Sequence, residues 1–96
     1  MFEWDTSKAT GNYAKHGVTF GEAATVFGDP DALDGPDLSH SEKESRFLRL
    51  GRAVTGRVLI VAYTVRRRDN DESIRIISAR RASRKERAAY AAASRD

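Results

Sequence analysis

The sequence predicts an α+β fold: a small antiparallel β-sheet with two helices before it and one after it. Three observations carry this expectation. Two segments ahead of residue 30 open on helix-capping residues and stop at glycine or proline. Between residues 46 and 77 lie three runs rich in branched and aromatic side chains, separated by turn residues. Ser83 and Glu86 then open an alanine-rich stretch in the spacing of a capping box.

Phe2-Glu3-Trp4-Asp5 alternates aromatic and acidic residues, as a short strand or extended lead-in with Phe2 and Trp4 on one face would. Asp5 can cap a first helix over residues 6–16, with Ala9, Tyr13 and His16 near one face and Gly17 placed to end it. Thr19 and Glu22 form a second candidate capping box, opening a helix through Ala23, Ala24, Val26 and Phe27 that Gly28 and Pro30 stop. Residues 29–45 are polar; Ala32-Leu33-Asp34 is a candidate short edge strand and the rest reads as loop. His40 stands between serines, but neighbours in a loop do not give the Ser–His–acid geometry, and no nucleophile-elbow pattern is present.

Residues 46–52 and 57–65 are the clearest strands, joined by a turn at Val54-Thr55-Gly56. Leu59, Val61 and Tyr63 share one face of the second, and Val58, Ile60 and Ala62 the other. A strand apolar on both faces belongs in the middle of a sheet, with helices covering one side. Residues 66–71 read as the next turn, and Ile74-Arg75-Ile76-Ile77 as a third strand that Ala79 closes, which makes an antiparallel meander. Arg80 and Arg81 then fall in a strand-to-helix corner. The last helix, over residues 84–94, is built largely of alanine, which gives helix propensity with little grip; its other side carries Arg84, Lys85, Arg87 and Arg95.

The 96 residues are expected to form one domain spanning 1–96. With no cysteine there is no disulfide scaffold, thiolate nucleophile or zinc knuckle, and a reducing cytoplasm is the natural compartment. No apolar run is long enough to span a bilayer, so no membrane is expected, and the first five residues lack the features of a secretion signal. The charge is divided along the chain. Residues 1–45 carry three Lys or Arg against nine Asp or Glu, while residues 46–96 carry fourteen against five, which favours a polyanionic partner for the second half.

The richest functional stretch runs from Ile74 to Arg87. Arg80 and Arg81 lie close to a helix N-terminus, whose free N–H groups attract anions, and Arg75 is a charge set between isoleucines. All three are candidate phosphate ligands, because the planar guanidinium pairs with two phosphate oxygens and stays charged at any working pH. Candidates for proton transfer are Lys15, His16, Tyr63 and Glu86; histidine has a reference pKa of about 6.5, near neutrality. Arg66, Arg67, Arg84 and Arg87 are candidates for binding a nucleic acid. No spacing of acids or histidines marks a metal site, and no cofactor is expected.

The ordered set Phe2-Glu3-Trp4-Asp5, Lys15-His16-Gly17-Val18, Phe20 with Glu22-Ala23, Phe27 with Asp29-Pro30, Ser41-Glu42, Gly56-Arg57, Tyr63-Thr64, residues 74–82, Glu86-Arg87 and Tyr90 resembles the BrnT family of toxins from type II toxin–antitoxin systems. The resemblance implies a RelE-like fold with helices over one side of the sheet. It also implies a metal-independent ribonuclease that inhibits translation, is neutralised by a BrnA-like ribbon-helix-helix antitoxin, and meets operator DNA only through that antitoxin. One position departs from the pattern: an acidic residue is expected just after Tyr-Thr, and Val65 stands there. A non-catalytic nucleic-acid-binding or operon-corepressor module is the alternative.

Overall fold

Secondary structure follows the local signals closely at the helices and departs from them at the sheet. The computed structural model describes residues 1–38 and 45–94. His40, Ser41, Glu42 and Arg95, singled out above, lie outside these. The elements are β1 (Phe2–Glu3), α1 (Thr6–His16), α2 (Phe20–Thr25) continued by a 3₁₀ turn (Val26–Gly28), β2 (Leu33–Pro36), β3 (Phe47–Arg52), β4 (Val58–Arg68), β5 (Asp71–Arg81) and α3 (Arg84–Ala93).

Each helix starts where its cap residue dictates. The Asp5 carboxylate accepts from the Lys8 amide at 3.0 Å, and Gly17 ends α1 in the left-handed region at φ 68°, its N–H donating to the Tyr13 carbonyl at 2.8 Å. Ser83 and Glu86 complete a full capping box, with bonds of 3.1 and 2.7 Å. The Thr19 box is only half made. Thr19 accepts from the Glu22 amide at 3.0 Å, but the Glu22 carboxylate turns instead to Arg57 and to Thr55 across the fold.

The sheet has the order β1-β5-β4-β3-β2. It is mixed rather than antiparallel: β1 pairs parallel to β5, with Phe2 opposite Ile74 and Glu3 opposite Arg75. Two residues carry no pattern that could announce a pairing with a strand seventy residues on. The β4–β5 hairpin is also longer than expected. Its turn shrinks to Asp69 and Asn70, with Asp69 at φ 55°, a left-handed conformation that Asp tolerates. β5 runs on to Arg81, so Arg80 and Arg81 are strand residues and not a corner. A bulge at Ile77, between the pairs Ala62–Ser78 and Tyr63–Ile76, resets the alternation of β5.

The two faces of the sheet are covered differently. Leu59, Val61, Ile76 and Ala79 join Val18, Phe20, Ala23 and Val26 in the main core under α1 and α2. Here Gly51 is required by contact: a Cβ would sit 2.7 Å from Val26 Cγ1 and 3.0 Å from Ala32 Cβ. On the opposite face, Val58 and Leu50 meet Ala82 and Tyr90, so α3 covers one end of that face. The helices therefore do not all cover one side, and among the described residues the middle of the second face stays open.

One side chain closes the free edge of β5 beyond β1. The buried Asn12 carboxamide accepts from the Ala79 N–H at 3.0 Å and donates to the Ala79 carbonyl at 2.9 Å, the pattern a neighbouring strand would offer. A third bond, 3.0 Å to the Val18 carbonyl, ties the same amide to the chain after α1. This pins α1 across the sheet edge and brings its last turn to the rim of the open face.

Candidate active site

Strand alternation assigns Arg80 to the open face, since it pairs with Ile60, and Arg81 to the other, since it pairs with Leu59. Arg80 is held by a two-pronged ion pair to Glu86, at 2.8 and 2.9 Å, and also donates to the Arg81 carbonyl at 3.2 Å. The capping box that starts α3 thus also fixes the direction of Arg80. His16, one turn beyond Asn12, comes over the edge of β5 onto the same face.

Between them lies a groove of about 470 Å³ lined by His16, Asp37, Arg46, Ser78 and Arg80, with Leu48, Ile60, Ala62 and Ile77 as an apolar floor. The walls are polar or charged and the floor is apolar. Such a site can hold a phosphate between guanidinium groups, rest a base on the floor, and present an imidazole for proton transfer.

The Arg80 guanidinium, helped by the Ser83 N–H, draws the Glu86 carboxyl down from its ordinary 4.5 to about 2 despite some burial. An ionised, fully bonded carboxylate suits the task of orienting Arg80 better than that of carrying a proton. Its depressed pKa means that the Glu86 contribution to stability is complete above the unfolded value near 4.5 and is lost as pH falls toward about 2. Thermal melts between pH 6 and pH 2 are expected to show this loss, and Glu86→Gln to be less stable at pH 6 and to fall less steeply with acid.

The remaining candidates are dispersed. Arg75 lies opposite Thr64, four β4 residues from the Ile60–Arg80 pair and so roughly 13 Å along the sheet. It donates to Glu3 at 2.8 Å, while Ser73 donates to the same carboxylate at 2.7 Å, which fastens β1 to β5. Arg75, Arg80 and Arg81 therefore do not surround one phosphate. Tyr63 lies on the helix-covered face between Phe27 and Phe47, with ring centroids at 4.9 and 5.6 Å, and its O–H donates to Asp34 at 2.6 Å. Burial and that carboxylate push its pKa up to about 12, and its ring is not part of the groove lining. Lys15 is exposed and outside the groove. Arg67 pairs with Glu72 at 3.1 Å in the hairpin, and Arg66 sits half-buried on the strand beside it. Arg84 is exposed on α3, and Arg87 donates to the Ala82 carbonyl at 2.8 Å.

The sequence reading passed over Arg46 and Asp37, which line the groove, and Asn12, which holds α1 beside it. Arg46 shares strand parity with Leu48 and Leu50, but only the β3–β4 register shows that this parity faces the groove. Val65 pairs with Ile74 on the opposite face, so the departure noted at that position does not touch the groove.

Comparison with known proteins agrees with this architecture. A crystal structure of the Brucella abortus ribonuclease toxin BrnT superposes with a TM-score of 0.62 at 24% identity, covering 88% of this chain and 99% of that one. No curated protein matches the sequence. The family described as "Ribonuclease toxin, BrnT, of type II toxin-antitoxin system" matches residues 4–86. With that match spanning most of its length, the chain belongs to the BrnT family of ribonuclease toxins.

Proposed function

We propose that this protein is a metal-independent endoribonuclease that inhibits translation by cleaving RNA in the cytoplasm. The observation that carries the reading is the shared groove of His16, Arg46 and Arg80 above an apolar floor. Cleavage at an RNA phosphodiester takes a proton from the 2′-OH as its oxygen bonds to phosphorus and delivers one to the 5′-oxygen as the P–O5′ bond breaks, one transfer made by the imidazole and the other by water, with donors to offset charge on the phosphorane. In this reading His16 moves one proton, Arg80 and Arg46 receive the phosphate, and Glu86 positions Arg80. Guanidinium groups supply the charge that a metal supplies in other nucleases. Membership in a type II toxin family supports an antitoxin as restraint, here a BrnA-like ribbon-helix-helix protein through which alone the toxin meets operator DNA.

Purified protein incubated with labelled RNA in EDTA tests the reading. Cleavage is expected, and His16→Ala should slow it about a hundredfold with an unchanged melting temperature. Retention of intact RNA by the wild type would instead identify a binding module without chemistry.

A further inference from the structure

A second cleft, of about 560 Å³, lies at the end of the sheet between the β3–β4 turn and α3. Four arginines line it: Arg52 from the end of β3, Arg57 from the turn before β4, Arg81 from the end of β5 and Arg87 from α3. They come from three elements and a turn, so the cluster is a product of the tertiary fold and not of one basic run. Gathering like charges is unfavourable unless something neutralises them.

Internal acids do only part of that here: the Glu22 charge also reaches Arg81, and the Asp29 charge reaches Arg52, which leaves two carboxylates against four guanidinium groups. Arg57 is matched by Glu22. Among the described residues, Arg52, Arg81 and Arg87 make no salt bridge to a carboxylate; Arg52 donates to the Gly56 carbonyl at 2.9 Å and Arg87 to the Ala82 carbonyl at 2.8 Å. A carbonyl orients a guanidinium without cancelling its charge. Arg52 also lies over the Tyr90 ring, 5.5 Å from its centroid, which holds it in place. Asp29, at the hydroxyl end of the ring, accepts from the Arg52 backbone N–H at 2.7 Å and the Tyr90 O–H at 2.6 Å. The cleft thus presents preset forks with surplus positive charge in a volume suited to a nucleotide-sized ligand.

We infer that this cleft is a second phosphate-binding subsite, which takes the backbone of the same RNA away from the cleaved bond. The inference rests on the ribonuclease reading above and adds where the substrate continues. The link between the sites is the end of β5. Arg80 and Arg81 are consecutive and point to opposite faces, so one strand end offers a guanidinium to the groove and the next to the cleft. A strand of RNA leaving the groove past Glu86 and around this end meets Arg81, then Arg52 and Arg87. RNA fits better than an acidic protein segment because the guanidinium fork matches the repeated phosphate of a single strand, and the reacting groove lies next to it.

The test compares a dinucleotide with a twelve-nucleotide single-stranded RNA, using wild type and Arg52→Gln/Arg81→Gln, with Arg81→Gln alone as a milder variant. Wild type should show a higher kcat/KM for the long substrate, and the variants should lose roughly tenfold of that preference. The salt dependence of long-RNA binding should fall by about 0.7 in log–log slope for each phosphate contact removed. An equal loss on both substrates, or a preference and slope that do not move, overturns the subsite while leaving the ribonuclease reading intact. So does weakened binding of an acidic partner protein with RNA binding unaffected. A wild type that neither cuts nor binds RNA overturns both readings.

Discussion

Replacing Arg80 with alanine is expected to lower RNA cleavage roughly a hundred- to a thousandfold, the range seen when one donor aimed at developing charge is removed. Arg80 is the groove cation whose direction is fixed twice, by two bonds to Glu86 and by one to its neighbour's carbonyl. A fixed donor needs no reorganisation when charge develops on the phosphorane, so its loss should appear in kcat and not only in KM. The fold should survive. Glu86 keeps the Ser83 N–H and its place at the start of α3, and its pKa should climb back from about 2 toward 4.5. Single-turnover cleavage beside a thermal melt gives the answer. A variant that melts normally and cuts at the wild-type rate would remove Arg80 from the chemistry. The same variant should also relieve growth arrest when the toxin is expressed without its partner.

Asn12→Ala is expected to cost about 3–4 kcal/mol, because it leaves the buried Ala79 N–H and the Ala79 and Val18 carbonyls without partners, and each such group costs ~1–3 kcal/mol. For a domain of this length the melting temperature should fall by about 15 °C or more. Asn12→Asp is the sharper control. The carboxylate can still accept from the Ala79 N–H, but it lacks the two donor bonds and faces two carbonyl oxygens, so it should be no better than alanine. Urea unfolding of both variants measures this. A loss under 1 kcal/mol for either would mean that the amide does not close the sheet edge. Because this side chain fixes the last turns of α1 against the edge of β5, surviving folded protein should also cleave more slowly as His16 shifts from the groove.

Much of the helical framework was legible in advance, since Asp5, Thr19 and Ser83 act on amides three residues away and Gly17 stops α1 by its own backbone freedom. The three meander strands could be read from branched side chains and turn residues for the same reason. The sheet edges could not. β1 and Asn12 both close β5 from distant parts of the chain, and neither leaves a local trace of its partner. The site was legible only in its ingredients. His16, Arg80 and Glu86 were on the candidate roll, yet so were Arg75 and Tyr63, which the fold spends on fastening β1 and on packing against Phe27. Read as a corner, Arg80-Arg81 could serve one phosphate together; as β5 continues, alternation sends them to opposite faces.

From the sequence alone followed the element types, their order, the basic second half and the residues able to handle a phosphate. Only the tertiary structure decided which of these share a groove. Caps and turns are settled by bonds within a few residues, whereas a groove is settled by register. The Ile77 bulge and the Asn12–Ala79 pairing, 67 residues apart, set that register and bring His16 and Arg80 to one open face. A one-residue slip in β5 would move every one of its side chains to the other side.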